Sequence, residues 1–175
     1  DTQQLTKPAQ TKQLIAETDI VQIKQLIIDV LKGFLSKEEL HMGLKVYIDH
    51  TLRNDMIDEM AANPPTLDRD LEAWSQQIFG TQKFGMVLIG LEQDSNAFAE
   101  KAATIVHPLL ESAGLPLHVL SFLFFMGNYG FTPFGIHKEA TGEDGILFHL
   151  GPGNKQFYTW DDPKYNAIEH NSEVF

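Results

Sequence analysis

Thr132-Pro133-Phe134-Gly135-Ile136-His137-Lys138-Glu139 leads, through a polar loop, to Ile146-Leu147-Phe148-His149-Leu150 and then to Gly153-Asn154-Lys155-Gln156-Phe157-Tyr158-Thr159-Trp160. Short apolar and aromatic runs punctuated by Gly and Pro read as strands joined by turns. From His118 onward the spacing predicts three of them, over His118–Met126, Ile146–Leu150 and Gln156–Trp160. His137 and Glu139 stand two residues apart, and on a strand such positions project to one face. An imidazole and a carboxylate so placed can take adjacent corners of a metal's coordination sphere. A second histidine would complete the two-His-one-carboxylate face that suits non-haem iron(II). Spacing alone is a weak signal: with seven histidines and 24 acids in 175 residues, about one such pair arises by chance. A surface histidine beside a solvated acid accounts for it equally well, so the neighbouring motifs must decide.

Upstream, the pattern changes period. Gly85-Met86-Val87-Leu88-Ile89-Gly90 is a continuous apolar run that suits a buried strand. Asp94 or Ser95 can cap a helix that turns Phe98, Ala102, Ile105, Leu109 and Leu110 inward and stops at Gly114. Earlier, Thr18 or Asp19 can open a helix with Ile20, Ile23, Ile27, Val30, Leu31 and Phe34 on one stripe. Ser36 and Glu39 match a capping box, which predicts a second helix carrying Leu40, Leu44, Tyr47, Ile48 and Leu52. Asn63-Pro64-Pro65 ends anything helical, and Leu67, Leu71, Trp74 and Ile78 give a further short helix ending near Gly80. The predicted organisation is a flexible leader over 1–17, a helical region over 18–83 and a β-rich region over 84–175. The fold class is α+β, helices first and a sheet afterwards.

Composition narrows the function classes. The apolar fraction of 43% and charged fraction of 21% are those of a globular domain. A formal net charge of -11 argues against an electrostatic grip on nucleic acid or anionic membrane. The absence of cysteine removes disulfides, thiolate zinc sites and cysteine nucleophiles together. The polar first residues carry no apolar signal core, and the most apolar stretch, Leu115 to Met126, is too short to span a bilayer. A soluble, cytoplasmic protein is the expectation.

The motifs from about 125 to 165 resemble the signature of the JmjC and cupin-like iron(II)- and 2-oxoglutarate-dependent oxygenases. There a Thr-Pro strand carrying His-x-Asp/Glu precedes an apolar strand, a Gly-x-Lys turn and an aromatic strand, and Asp161-Asp162-Pro163-Lys164-Tyr165 is similar to a later element of some members. The resemblance implies a double-stranded β-helix (jelly roll) after the helical part, of which 84–175 would be the first half. It implies iron(II) and 2-oxoglutarate as cofactors, with His137 and Glu139 as metal ligands. Lys155 would pair with the distal carboxylate of 2-oxoglutarate, where a buried carboxylate requires a cation. Thr132 would hydrogen-bond the same carboxylate, and Tyr129 and Tyr158 are looser candidates, each also explained as a half-buried tyrosine. The activity implied is hydroxylation of a peptide, protein or small molecule. The acidic surface favours a basic peptide or protein.

Two departures qualify the match. The loop Ala140–Gly145 is longer than in compact relatives, and its Glu143 and Asp144 read as a solvated turn. The family's distal histidine lies on a late strand, and Phe175 ends the chain before such a strand; His149 and His170 stand elsewhere. The expectation is therefore an incomplete barrel, or a partner, such as a second copy in a homodimer, that supplies the missing strands, since a sheet stopping after Trp160 would leave edges and one apolar face uncovered. His149 alternates with Phe148, so one of the two faces inward. His41 and His107 read as structural, and Phe122, Phe124 and Phe125 as core. Two other classes compete. One is a cupin-like binding or dimerisation module that has lost its metal; the other is a cupin-type metalloenzyme that uses no 2-oxoglutarate.

Overall fold

The computed structural model describes residues 8–12, 14–37, 43–66, 70–116, 120–130, 132, 135, 137–139, 142–151 and 153–160. His41, His118, His170, Glu39, Leu40, Leu67 and the Asp161–Tyr165 segment lie outside the described residues, as do positions 1–7 of the expected leader. The chain forms two compact units, Ile15–Gly135 and a second made of Asp1–Leu14 with Ile136–Phe175.

The first unit is α+β and contains a small four-stranded antiparallel sheet. Helix α1 (Glu17–Leu35) carries the expected stripe: Ile23, Ile27, Val30, Leu31 and Phe34 are buried, joined by Ile28 and Leu35. Its start is not capped by Thr18 or Asp19. The N-cap is Ala16, whose carbonyl accepts from the amides of Asp19 and Ile20, and Asp19 instead pairs with Lys101 of a later helix. Glu17 and Asp19 in the first turn and Lys32 in the last complement the helix dipole.

Ser36 closes this helix rather than opening another. Its hydroxyl donates back to the Gly33 carbonyl at 2.8 Å, and its amide donates to Lys32 O at 3.1 Å. The helix expected over Leu44–Leu52 is instead strand β1 (Leu44–Ile48) and strand β2 (Thr51–Leu52). Leu44, Val46 and Ile48 are buried and Lys45 is exposed, a period of two. Apolar residues at 44, 48 and 52 fit a helical stripe equally well, but Val46 and Ile48 are β-branched and pack well on a pleated surface. Asp49 and His50 form the two-residue turn between the strands, both in the left-handed region at φ 46° and 68°, as the twist of a tight hairpin demands.

Two helices follow, α2 (Met56–Ala62) and α3 (Leu71–Phe79). Asn63 caps the end of α2, where the Pro-Pro pair stops it. Trp74 of α3 is buried and donates its indole N–H to the Asn63 carbonyl at 2.7 Å. Gly80, at φ 58°, turns the chain out of α3, and Phe79 then stacks on Phe84 with ring centroids 4.0 Å apart.

Phe84 begins strand β3 (Phe84–Ile89), which matches the expected apolar run. The short helix α4 (Leu91–Asp94) leads to α5 (Asn96–Ala113). Ser95, one of the two expected caps, accepts from the Phe98 amide at 3.1 Å, and Gly114 terminates the helix at φ 88°. Strand β4 (Leu123–Asn128) covers the end of the strand expected over His118–Met126 and runs two residues beyond it. Its start is anchored at Phe122, whose amide donates to the Glu92 carboxylate at 3.0 Å and whose carbonyl accepts from Gly90 and Leu91.

The sheet order is β2-β1-β3-β4, every pair antiparallel. The register puts Leu44, Val46 and Ile48 beside Leu88, Met86 and Phe84, and these beside Phe124, Met126 and Asn128. This face makes the core with the helices. The other face carries Lys45, Tyr47, Gly85, Val87, Ile89, Leu123, Phe125 and Gly127 by the same alternation. Thus two of the strands come from the region read as helical.

The second unit holds a correction. Neither Ile146–Leu150 nor Gln156–Trp160 is a strand, and among its described residues there is no helix or strand. Strand propensity measures fit to a half-buried pleated surface with a paired neighbour, not a preference of the isolated backbone. Here Ile146, Leu147, Phe157 and Tyr158 are at least half exposed, so aromatic and apolar content alone did not make a ladder.

Leu88 is fully buried whereas its neighbour Ile89 faces the other way and is 37% exposed. Leu88→Ala should therefore destabilise the protein by about 2–5 kcal/mol. Ile89→Ala should cost less than about 1 kcal/mol by the smaller area it withdraws from water. Urea unfolding of both variants checks this; equal losses would contradict the assignment of the two faces.

Candidate metal centre

His137 and Glu139 are in the second unit, on a segment that has no strand pairing. Their side chains nevertheless meet, with His137 Nε2 3.8 Å from Glu139 Oε1. The i, i+2 relation needs only a locally extended backbone, not a completed ladder. Both side chains are well exposed, at 57% and 61%. Two donors bound to adjacent corners of one ion, each at about 2.1 Å, stand roughly 3 Å apart. A closure of under about 1 Å between these two solvent-exposed side chains would bring the pair to that distance. One neutral-capable imidazole and one carboxylate also match the donor chemistry of iron(II). The pair therefore fits two sites of such an ion. Among the described residues, no group of three or more His, Cys, Asp or Glu is placed to hold one.

The same unit answers which of Phe148 and His149 turns inward. Phe148 and Leu150 are half-buried and His149 is exposed. The His149 imidazole is engaged, with Nε2 2.6 Å from the Gly153 carbonyl oxygen. Lys155 follows this turn. Its ammonium lies 5.0 Å from the centroid of the Phe157 ring, within the range of a cation–π contact. Tyr158 stacks on Trp160, with centroids 6.1 Å apart, and its hydroxyl donates to Gln156 at 3.0 Å. Glu143 and Asp144 are exposed, as a solvated turn would have them.

Thr132 and Tyr129 belong to the first unit, and both are half-buried. The Tyr129 ring lies against Gly127: a methyl group at position 127 would run into that ring and come within 2.6 Å of the Phe84 carbonyl. Gly127 is thus the residue that lets the ring fold back over the sheet. Tyr129 also borders a shallow depression with Tyr47, Asp49, His50, Lys83, Phe84 and Gly85. Sequence reading passed over this corner. Its available signal was the Asp49-His50 pair between two alternating runs, a two-residue hairpin tip. The Asp49 amide there donates to the Lys83 carbonyl at 2.9 Å.

The aromatic cluster divides. Phe122 meets Phe98 of α5 edge to face, with centroids 5.8 Å apart, and Phe124 is half-buried on the core side. Phe125 is 39% exposed on the opposite side. His107 on α5 stands 3.7 Å from Glu111, one turn on, with both exposed. Charge perturbation is local elsewhere: the Arg53 guanidinium forks onto Asp55 at 2.8 and 2.7 Å. That contact holds the Asp55 carboxyl below the usual carboxylate range.

Compared with models of known families, with curated proteins and with solved structures, the chain finds no match.

The exposure of both candidate ligands separates chemistry from stability. His137→Ala and Glu139→Ala should each leave the unfolding free energy within about 0.5 kcal/mol of the parent, as for surface positions generally. Denaturant titration without added metal tests this, and a loss above about 2 kcal/mol in either variant would show the pair to be part of the packing instead.

Proposed function

We propose that this chain carries the metal-binding part of an iron(II)- and 2-oxoglutarate-dependent oxygenase, a hydroxylase on a JmjC-like or cupin-like double-stranded β-helix. The observation that carries the reading is the approach of His137 Nε2 to Glu139 Oε1 at 3.8 Å, within the Thr-Pro…His-x-Glu motif. The antiparallel sheet with a second apolar face supports it as one layer of a two-layer barrel.

In this reading His137 and Glu139 would hold the iron, which with 2-oxoglutarate and dioxygen would supply the oxidising chemistry that places one oxygen atom in a substrate C–H bond. Lys155, in the same unit as His137 and Glu139, binds the distal carboxylate of 2-oxoglutarate. A guanidinium or ammonium facing a carboxylate in a desolvated pocket both neutralises it and fixes its orientation. The substrate is a peptide, a protein or a small molecule, with the net charge of -11 favouring a basic peptide or protein. A cytoplasmic location accompanies this reading; no described helix is long and apolar enough to cross a membrane.

A second reading, a cupin-like binding or dimerisation module without metal, is favoured by the sheet's outer face. Leu52, Leu123 and Phe125 are 51%, 47% and 39% exposed there, the kind of surface that another layer or partner covers.

Anaerobic titration of iron(II) and 2-oxoglutarate, followed by visible absorbance, distinguishes them. The oxygenase reading expects a charge-transfer band that is lost in His137→Ala. Lys155→Ala should keep the iron and raise the 2-oxoglutarate requirement roughly ten- to hundredfold, the equivalent of about 1.5–3 kcal/mol for a bond to a charged group. An unaltered requirement in Lys155→Ala would remove that lysine from the cosubstrate site, and iron binding with no dependence on 2-oxoglutarate in the parent would point to a metalloenzyme that uses none. No band from the parent protein would favour the binding module.

A further inference from the structure

His149 does not stand where the family's distal histidine would be, and the residues alone leave open whether it or Phe148 faces inward. The structure gives it other work. Its Nε2 lies 2.6 Å from the Gly153 carbonyl oxygen. A carbonyl oxygen only accepts, so Nε2 carries the proton and donates. A ring nitrogen that carries a proton has no lone pair in the ring plane to offer a metal. The same ring lies over Gly151: a methyl group built there would touch His149 Cε1 at 3.6 Å. The imidazole thus reaches two of the residues that follow it, resting on Gly151 and bonding the carbonyl of Gly153.

Pro152 stands between the two glycines and limits the freedom of its neighbourhood, but Gly153 itself stays conformationally permissive and has no side chain to hold its carbonyl. The bond from His149 fixes the Gly153 carbonyl, hence the plane of the Gly153–Asn154 peptide. Lys155 leaves the chain one residue later, where its ammonium sits over the Phe157 ring. Phe148 and Leu150, half-buried on either side of His149, anchor the near end of the brace.

We infer that His149 is a positioning residue: it braces the Gly153 carbonyl so that Lys155 is presented in one place, and it does not ligate the metal through Nε2. The consequence for cosubstrate binding rests on the role of Lys155 proposed above; the brace itself does not.

The test uses the full chain and the variants His149→Ala, His149→Gln and His149→Asn. The Gln amide nitrogen reaches about as far from Cα as Nε2 does, and the Asn amide does not. Long-range proton–nitrogen NMR of the metal-free protein should find the Nε2-protonated ring in the parent. It should also find the amide signals of Gly153, Asn154 and Lys155 displaced in His149→Ala and His149→Asn but restored in His149→Gln. With iron(II) present, His149→Ala should raise the 2-oxoglutarate concentration for half-saturation of the charge-transfer band on the order of tenfold, with misplacement of the cation as cause. Iron affinity should stay that of the parent, and His149→Gln should recover most of the loss.

Iron affinity falling in His149→Ala as far as in His137→Ala would make His149 a ligand and overturn the inference. An Nδ1-protonated ring, or amide signals indifferent to all three substitutions, would overturn the brace. If the parent yields no charge-transfer band, the oxygenase reading fails on its own account and the NMR result still decides the brace.

Discussion

Strand β3 is the constraint on which the first unit depends. It has a paired strand on each edge, and Phe84 through Leu88 are all buried, including Val87 at 3% exposure on the face away from the helices. A strand buried on both faces has no polar side on which a slipped register could rest. Shifting by one residue would exchange Met86 and Leu88 for Gly85 and Val87 against the core. The register therefore fixes where Leu44, Val46 and Ile48 must stand on one side and Phe124 and Met126 on the other. The two ends of β3 are set with equal economy. Gly80 brings the chain out of α3 so that Phe79 stacks on Phe84, and Gly90, at φ 80°, turns it into α4 while donating to Phe122.

That last contact links the sheet to the segment preceding the candidate site. Phe122 is held through both backbone groups, to Glu92 on one side and to Gly90 and Leu91 on the other. An amide bonded to a carboxylate is stronger than one bonded to a neutral acceptor. It anchors the residue that immediately precedes β4. Gly127 near its other end leaves room for the Tyr129 ring, where any side chain would collide with it and with the Phe84 carbonyl. The course of β4 is thus set by two devices, one at each end, at Phe122 and at Gly127.

Much of this was legible in the residues. The α1 stripe, the Ser95 cap, the Gly80 and Gly114 stops and the apolar run of β3 each had one dominant periodicity or terminator. The misreading over 36–52 arose where two templates matched the same letters. Ser36 followed by Glu39 suits a helix start, but a serine at a helix end can equally return its hydroxyl to the preceding turn, as it does to Gly33. Leu44, Ile48 and Leu52 suit a helix, while Leu44, Val46 and Ile48 suit a strand, and only the burial of alternate residues against β3 chooses. The site divides the same way. His137 and Glu139 were readable because an i, i+2 pair meets on any extended segment. The assignment of His149 was not, since alternation with Phe148 says that the two differ but not which turns inward. Its hydrogen bond to Gly153 is a three-dimensional fact with no signature in spacing. The strands expected at 146–150 and 156–160 failed for a related reason: a strand is a relation between two segments, and composition describes one.

The outer face of the sheet joins the two halves of the problem. Leu52, Ile89, Leu123 and Phe125 expose 37–51% of their surface, and by the register no acid shares their face, although the chain has 24 of them. Lys45 is the charged residue on this face, and it is exposed; the rest of the face is apolar or glycine, with Tyr47 as its one polar group. Both functional readings expect this surface to be covered, by a barrel layer in the oxygenase and by a partner in the binding module. It is the ligand pair at His137 and Glu139, not the sheet, on which they part.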